Sequence, residues 1–223
     1  MTNPRAFTRL DGRQVFDGHV ISVHVDRFRF DADGEEVERE VVRHPGAAAI
    51  VAHDGTDLFL VRQPRPSVGD PDVLELPAGL LDKDGEPPEV TAGRELTEEI
   101  GKAAGHIEHL HSFWSSVGSL DEEVHVFLAT DLSDAEADSG ENERIEIERW
   151  PLAELDEAIA QTRDAKTLIG MLLLRERLRD PDAVGRREAG RRLLAAPAPD
   201  QEREPDWEIV KREMREGRGA GRT

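Results

Sequence analysis

The feature that most constrains this chain is a short acidic segment with strong signals for a helix. The Pro87–Pro88 pair suits the first turn of a helix, where a missing N–H costs little, and Gly101 is typical of the residue that ends one. Between these bounds Glu95, Glu98 and Glu99 lie at positions i, i+3 and i+4, so their side chains are neighbours on one face. The sequence therefore predicts a helix that carries three adjacent carboxylates.

This acidic face needs an explanation, because like charges at helical spacing repel each other and destabilise the helix. A bound divalent cation would reverse that effect, since Mg²⁺ and Mn²⁺ prefer carboxylate oxygens, retained waters and substrate phosphates as ligands. An ordinary solvated surface is the alternative, because 48 of the 223 residues are acidic. The three glutamates thus predict either a metal site or an exposed helix face.

The residues around the predicted helix favour the metal site. A strand-like run, Val73–Leu76, leads into a predicted loop, Leu76–Gly79, and Arg94 directly precedes Glu95. Together with Glu86, this order resembles the signature of the Nudix hydrolases, which is a glycine, then a glutamate, then Arg-Glu-apolar-x-Glu-Glu-x-Gly. Strand, tight loop and acidic helix are the elements that the resemblance implies for this part of the fold.

Two positions depart from the family signature. Six residues rather than the usual five separate Gly79 from Glu86, and Lys102 follows the signature where the family has an apolar residue. The extra residue falls around Asp84–Gly85, within the predicted loop, and leaves the helical register of the glutamates unchanged. Neither change removes a metal ligand, although the insertion is able to displace Glu86.

The resemblance implies a role for each residue of the signature. It assigns Mg²⁺, with Mn²⁺ as the alternative, to a set of four ligands: the carbonyl oxygen of Ala78 and the carboxylates of Glu95, Glu98 and Glu99. Arg94 is expected to pair with a signature glutamate such as Glu86, and Arg94 and Glu98 are counted among the catalytic residues. The implied chemistry is physically reasonable, because a divalent cation neutralises an anionic pyrophosphate and lowers the pKa of a bound water.

A general base is expected in the predicted loop Ser115–Glu123. In the family that the chain resembles, a glutamate in a Gly-x-x-x-Glu loop assists catalysis, and counting from Gly118 the match falls on Glu122. A loop suits this role because the base must approach only when substrate is bound. Asp121 and Glu123 remain alternatives for the same role.

Three further runs are similar to the ADP-ribose pyrophosphatase branch of the family: Glu38–Gly46, Leu60–Arg65 and Glu75–Gly79. That branch hydrolyses ADP-ribose to AMP and ribose 5-phosphate, and it is typically a homodimer whose N-terminal strands cross to the partner and help to form the nucleotide pocket. Two alternatives stay open. One is hydrolysis of another nucleoside diphosphate derivative, such as an ADP-sugar or GDP-mannose, and the other is a non-catalytic nucleotide sensor.

The resemblance also implies residues that contact the substrate: Arg39, Arg65 and Gln63. Guanidinium groups suit phosphate oxygens because they donate two parallel hydrogen bonds. For Arg39 the alternative is an exposed charge on a strand. The chain has no tyrosine. Candidates for stacking on a base are therefore His19, Phe28 and Trp114, each of which is also compatible with ordinary packing.

Composition excludes several other classes of protein. Cysteine is absent, which excludes disulfides, zinc-thiolate sites and cysteine nucleophiles. His44 and His53 fit turns or the surface better than a metal site. The net charge of −19 argues against a general surface for nucleic acid or anionic membranes. No apolar segment has the length of a membrane span or the form of a signal peptide, so we expect a soluble, cytoplasmic protein.

The rest of the pattern indicates a mixed α/β fold, in agreement with the Nudix α/β/α sandwich and its mixed sheet. The strand candidates are Val15–Phe30, Glu36–Arg43, Ala47–Ala52, Leu58–Val61, Ile107–Trp114, Val124–Ala129 and Ile145–Arg149. A turn with Gly34 at positive φ joins the first two. The helix candidates are Pro151–Ala160 and Ala165–Leu178, the second with Asp164 as a possible N-cap.

We expect three segments. Residues 1–43 form an N-terminal strand extension for dimerisation and the nucleotide pocket, and residues 44–180 form the Nudix hydrolase domain. Residues 181–223 form a helical, partly flexible tail, with a basic run at Arg186–Arg192 and a helix candidate at Trp207–Arg215.

Overall fold

The computed structural model describes residue 3 and residues 5–136 and 144–180. The predictions for the tail, including the basic run at Arg186–Arg192 and the helix at Trp207–Arg215, lie outside these residues.

The N-terminal segment forms a three-stranded antiparallel sheet in the order β1-β2-β3. Its strands are β1 (Phe7–Asp17), β2 (Ser22–Phe30) and β3 (Glu36–Arg43). Gly34 has a φ of +76° in the turn between β2 and β3, which confirms the predicted conformation.

The prediction of one strand over Val15–Phe30 is wrong. The chain reverses between residues 17 and 22, where the N–H of Gly18 donates to the carbonyl of Ile21 at 2.9 Å. The first strand therefore runs from Phe7 to Asp17, through a segment that is mostly polar and almost fully exposed. Such a segment lacks the alternation of buried and exposed residues that identifies a strand in a sequence.

The second sheet has seven strands and is mixed. Its strands are β4 (Ala47–His53), β5 (Asp57–Arg65), β6 (Asp70–Glu75), β7 (Ala78–Leu80), β8 (Lys102–Trp114), β9 (Glu123–Asp134) and β10 (Glu146–Pro151). The main path is β10-β5-β4-β9-β8, with β6 paired to β5 and β7 paired to β4. The β4–β9 pair is parallel and the other pairs are antiparallel, so the predicted mixed sheet is confirmed.

The described residues form three α-helices: α1 (Pro88–Ile100) between β7 and β8, and α2 (Leu155–Gln161) and α3 (Ala165–Arg179) after β10. The α1 bounds match the prediction, and Gly101 ends the helix with a φ of +64°. Asp164 caps α3, because its carboxylate accepts from the N–H of Thr167 at 3.0 Å. None of the helices in the described residues is long and apolar enough to cross a lipid bilayer.

The core lies on both faces of β4, which is buried from Ala47 to Ala52. On one face Ile50 packs in the same cluster as Leu96 and Ile100 of α1. On the other face α3 approaches so closely that a Cβ at Gly170 would lie 3.0 Å from Cγ2 of Val51. Successive β4 residues thus face α1 and α3 alternately, which confirms the predicted α/β/α arrangement.

Two predicted element bounds need correction. Ala78 and Gly79 belong to β7 and not to a loop, because they pair with Ala49 and Ala48 of β4. The helix predicted over Pro151–Ala160 begins only at Leu155, since Pro151 ends β10 and a 3-10 turn occupies residues 152–154.

Candidate active site

Three glutamates lie around one arginine of α1, two of them on the same helix and one in the loop before it. Nη1 of Arg94 donates to Oε1 of Glu95 at 2.5 Å and to Oε2 of Glu98 at 2.9 Å. Nε of the same guanidinium donates to Oε1 of Glu86 at 3.2 Å, so the predicted Arg94–Glu86 pair is present and the inserted loop residue has not displaced Glu86. The guanidinium thus offsets part of the repulsion between carboxylates that the spacing produces.

Electrostatics hold Arg94 in its charged form. Burial alone would lower the pKa of Arg94, but the charge of Glu95 and hydrogen bonds to Glu86 and Glu98 outweigh burial and raise it. Its Nη2 atom is buried and has no hydrogen-bond partner in the described part of the chain. The carboxylates therefore satisfy only part of the donor capacity of this guanidinium.

Strand β7 runs directly beside the acidic face. The N–H of Ala78 donates to Oε2 of Glu99 at 3.1 Å. At Gly79 an added Cβ would lie 2.0 Å from both Cδ and Oε1 of Glu95, so only glycine leaves room for that carboxylate. The backbone of β7 and the glutamates of α1 thus share one small region, which places all four predicted metal-ligand residues together.

The donor chemistry of this region fits a hard divalent cation, because carboxylate and carbonyl oxygens are the ligands that Mg²⁺ and Mn²⁺ prefer. Within the described residues, no group of three or more Asp, Glu or His side chains is already arranged around an ion position. Glu95 and Glu98 instead face the cationic guanidinium of Arg94. Cation binding in this region therefore requires these carboxylates to turn from the guanidinium towards the ion.

A cavity of about 590 Å³ opens where β5 and β6 end and α3 begins. Its charged and polar lining includes Arg65, Glu75, Lys166, Arg163, His44 and Glu122. Arg65 and Glu122 were predicted as site residues, so the fold brings a predicted substrate contact and the predicted base to one cavity.

Glu75 is the buried centre of this cavity wall, with 1% of its surface exposed. Its carboxylate accepts from Nε and Nη2 of Arg65 at 2.5 and 2.8 Å, and from Nζ of Lys166 at 2.5 Å. Burial would raise the pKa of Glu75, but these two cations outweigh burial and hold the pKa below its ordinary value. The carboxylate is therefore ionised and fixes the orientation of Arg65.

Arg65 links the cavity to the acidic face of α1. Hydrogen bonds to Glu75 raise the pKa of Arg65 against the effect of burial, and the charges of Glu75, Asp164 and Glu99 add to that rise. Its bonds to Glu75 use Nε and Nη2, so Nη1 donates to no protein group in the described residues. Gln63, on the same strand, lies opposite Val73 and does not line the cavity.

Glu122 differs from its two acidic neighbours. It lines the cavity and its side chain is 21% exposed. Asp121 is engaged elsewhere, because it accepts from Nη1 of Arg43 and from the N–H of His44, both at 2.9 Å. Glu123 is exposed and does not line the cavity. Of the three predicted candidates for the base, only Glu122 lines this cavity.

His44 lies beside Glu122 without a hydrogen bond to it. Nδ1 of His44 is 3.5 Å from Oε1 of Glu122, and the same Nδ1 accepts from the N–H of Gly46 at 3.1 Å. Nδ1 of His53 accepts from the N–H of Gly55 in the same way. Both histidines thus stabilise turns, as predicted.

Arg39 lies at a different cavity, of about 350 Å³, between the N-terminal sheet and residues 117–121. Phe28 lines the same cavity and packs edge-to-face against Phe7, with ring centroids 5.6 Å apart. Nη1 of Arg39 donates to the carbonyl of Glu38 at 2.8 Å. Within one chain Arg39 and Arg65 therefore line separate cavities. His19 and Trp114, the other stacking candidates, are exposed and line neither cavity.

Sequence reasoning missed Glu75 and Lys166 as site residues. The available signal for Glu75 was a single charge inside the apolar run Val73–Leu76, since a buried strand admits a charge only when it is paired. Lys166 had no such signal, because its partner is 91 positions away in the sequence.

Comparisons with known proteins find a matching domain family and similar relatives. The model of the NUDIX domain matches residues 42–170. The chain is 38% identical over 172 residues to the ADP-ribose pyrophosphatase of Bacillus subtilis (strain 168), covering 74% of this chain and 91% of that protein. It is also 38% identical over 166 residues to the methanol dehydrogenase activator of Bacillus methanolicus, covering 72% and 88%.

A solved structure shows a similar fold. The crystal structure of an ADP compounds hydrolase superposes with a TM-score of 0.71 at 23% sequence identity, covering 81% of this chain and 98% of that chain.

Proposed function

The chain belongs to the Nudix hydrolase family, and we propose that it hydrolyses the pyrophosphate bond of ADP-ribose to give AMP and ribose 5-phosphate, with Mg²⁺ as the cofactor. The observation that carries this proposal is the pairing of an acidic metal-ligand face on α1 with an adjoining cavity that holds Arg65 and Glu122. The similarity to the B. subtilis ADP-ribose pyrophosphatase supports the choice of substrate.

The ligands for the cation are the carboxylates of Glu95, Glu98 and Glu99 and the carbonyl oxygen of Ala78. A divalent cation bound there would neutralise charge on the pyrophosphate and lower the pKa of an attacking water. Arg94 stabilises the ligand face by holding Glu86 and by bridging Glu95 and Glu98 through Nη1. Gly79 keeps the space that the side chain of Glu95 needs.

Glu122 serves as the general base. Glu122 lines the cavity, and its carboxylate accepts no hydrogen bond from an arginine or lysine in the described residues, so it is available to take a proton from water. Nδ1 of His44, at 3.5 Å from Oε1 of Glu122, already accepts from the N–H of Gly46. The loop position allows the carboxylate to approach when substrate is bound.

Arg65 orients a phosphoryl group of the substrate. Glu75 fixes two of its three guanidinium nitrogens, which leaves Nη1 to donate to a phosphate oxygen. Lys166 donates to the same oxygen of Glu75 as Nη2 of Arg65, so two cationic side chains contact this one carboxylate. These fixed donors matter because a net charge of −19 otherwise repels an anionic substrate.

We further propose that the protein forms a homodimer, and that the N-terminal extension acts in that assembly. The N-terminal extension, residues 1–43, carries exposed apolar side chains that include Val15 and Phe16. Contact with a second chain would cover them and bring Arg39 and Phe28 to a nucleotide pocket, with Gln63 as a further contact. Residues 44–180 would then be the catalytic domain and residues 181–223 an appended tail.

A substrate panel tests this function. The purified protein is incubated with ADP-ribose, ADP-glucose and GDP-mannose, with and without Mg²⁺, and released nucleoside monophosphate is measured by chromatography. We expect the highest kcat/KM for ADP-ribose. A higher value for another member would change the substrate but not the chemistry, whereas binding of ADP-ribose without hydrolysis of any member would favour a nucleotide sensor.

A further inference from the structure

A network of alternating charges crosses the N-terminal sheet and ends beside Glu122. Nη2 of Arg9 in β1 donates to Oδ1 of Asp26 in β2 at 2.8 Å. The other oxygen of Asp26 accepts from Nη2 of Arg43 in β3. Nη1 of Arg43 then donates to Oδ2 of Asp121 at 2.9 Å. Each strand of the N-terminal sheet contributes one charged residue to this network. The last carboxylate is that of Asp121, which directly precedes Glu122.

The centre of this network, Asp26, is fully buried. The side chain of Asp26 has 0% of its surface exposed, and Gly12 packs so tightly against it that an added Cβ would lie 2.0 Å from Oδ1. A hydrogen bond from Arg9 lowers the pKa of Asp26 despite burial, with Arg43 adding to the effect. The position of Arg43 is therefore set by a buried charged partner that has no room to move.

The backbone also ties the Glu122 loop to the end of β3. The N–H of Val42 donates to the carbonyl of Ser119 at 2.8 Å, and the N–H of Asp121 donates to the carbonyl of Val42 at 3.1 Å. The second oxygen of the Asp121 carboxylate accepts from the N–H of His44 at 2.9 Å. Asp121 therefore makes three contacts with three consecutive residues, 42–44, and no other residue of the loop is held in this way in the described structure.

We propose that Asp121 is a positioning residue, which transmits the rigidity of the Arg9–Asp26–Arg43 network to the carboxylate of Glu122. The inference rests on the proposed function, because it requires Glu122 to be the base. The Glu122 side chain has no arginine or lysine partner in the described residues, so its location depends on its neighbours in the chain and on the hydrogen bond that its carbonyl accepts from the N–H of Ser115 at 3.2 Å. A base must hold its place to within a fraction of an ångström, since a misplacement of about 1 Å can cost about 100-fold in rate.

A double-mutant cycle tests this proposal. Asp121→Asn keeps an oxygen for the N–H of His44 but removes the charge that pairs with Arg43. We expect kcat for ADP-ribose to fall about 10- to 100-fold, with KM changed less than about twofold, because only the placement of the base is affected. In a Glu122→Gln background, the same Asp121→Asn change should lower kcat by less than about twofold, since the group that it positions is gone.

The matched control is Asp156→Asn. Asp156 accepts from Nη1 of Arg175 at 2.9 Å, the same distance as the Arg43–Asp121 pair, but on helices α2 and α3 and outside the site. We expect wild-type kcat and KM from this variant. If Asp121→Asn does not fold, Arg43→Lys provides the second test, because one ammonium is a poor bridge between Asp26 and Asp121. It should lower kcat with the midpoint of unfolding preserved within a few degrees.

The outcomes separate this inference from the proposed function. Wild-type protein that releases no AMP from ADP-ribose overturns the function itself. If wild-type protein is active and Glu122→Gln keeps its full kcat, Glu122 is not the base and Asp121 has nothing to position. If Glu122→Gln is impaired but Asp121→Asn lowers kcat by the same factor in both backgrounds, or leaves kcat unchanged in the wild-type background, only the positioning role is overturned.

Discussion

Gly79 of β7 lies against the side chain of Glu95 of α1, so that a Cβ at Gly79 would be 2.0 Å from Cδ of the glutamate. No heavy atoms tolerate that distance without a bond, and therefore a larger residue must push the carboxylate away from β7. The glycine of the family signature is thus explained by space for a metal ligand, since its φ is not in the left-handed region.

Gly79→Ala should therefore damage the metal site without changing any ligand. We expect about a 100-fold loss of kcat from displacement of Glu95, together with weaker Mg²⁺ binding by calorimetry. Gly93→Ala is the matched control, because a Cβ there meets only Cδ1 of Ile107 at 3.5 Å. It should preserve activity and stabilise α1 by about 0.5–1 kcal/mol. Equal activity of the two variants would contradict the explanation.

Replacing a carboxylate of the acidic face tests the ligand assignment directly. Glu95→Gln and Glu99→Gln each remove one anionic oxygen donor, and we expect Mg²⁺ affinity to fall at least about 10-fold, the loss seen when even outer-shell partners are removed. Glu89→Gln removes the same charge from the first turn of α1, away from this face, and should bind Mg²⁺ like the wild type. Isothermal titration calorimetry measures all three.

Glu122→Gln should separate catalysis from folding. Removal of a general base lowers kcat by about 100- to 10,000-fold, whereas the half-buried position of Glu122 predicts little change in unfolding. Glu123→Gln is the control, because Glu123 is exposed and outside the cavity. Steady-state kinetics and urea unfolding check the pair, and a larger loss of kcat from Glu123→Gln would move the base to that residue.

The stability of the protein should depend on Glu75 at acid pH. Because Arg65 and Lys166 hold the pKa of Glu75 below its ordinary value of 4.5, the stabilisation is fully present above about pH 4.5 and is lost as the pH falls through the lowered pKa. Glu75→Gln removes the buried partner of two cations, at a cost below the about 3–5 kcal/mol of a fully buried pair, because the Arg65 side chain is 41% exposed and Lys166 keeps its pair with Asp164. Urea unfolding should show a larger difference between variant and wild type at pH 7 than at pH 3.

The helix that carries the proposed metal ligands was predictable from sequence because its determinants are local. Proline at the start, glycine at the end and glutamates at i, i+3 and i+4 all act within α1 itself. The same holds for Asp164, which caps α3 by accepting a hydrogen bond from the N–H of Thr167, three positions later. The spacing of the glutamates alone was compatible with a metal site and with a solvated helix face. The family resemblance then favoured the metal site and supplied a role for each residue.

Features that depend on distant pairing were not predictable in the same way. Gly79 was expected in a loop, but it belongs to a strand because β4, some thirty residues earlier, offers it hydrogen bonds. The strand from Phe7 to Asp17 exists through pairing with β2, although its own sequence is polar and exposed. Lys166 reaches Glu75 across 91 positions, a contact that no local pattern encodes.

The most direct test of the account is the initial rate of AMP release from ADP-ribose as a function of free Mg²⁺ concentration. We predict no release when EDTA removes divalent cations, a rate that rises to saturation with added Mg²⁺, and equal amounts of AMP and ribose 5-phosphate as products. AMP release at the same rate with and without divalent cations, or no release at any Mg²⁺ concentration, would contradict the claim that the acidic face of α1 holds a catalytic cation.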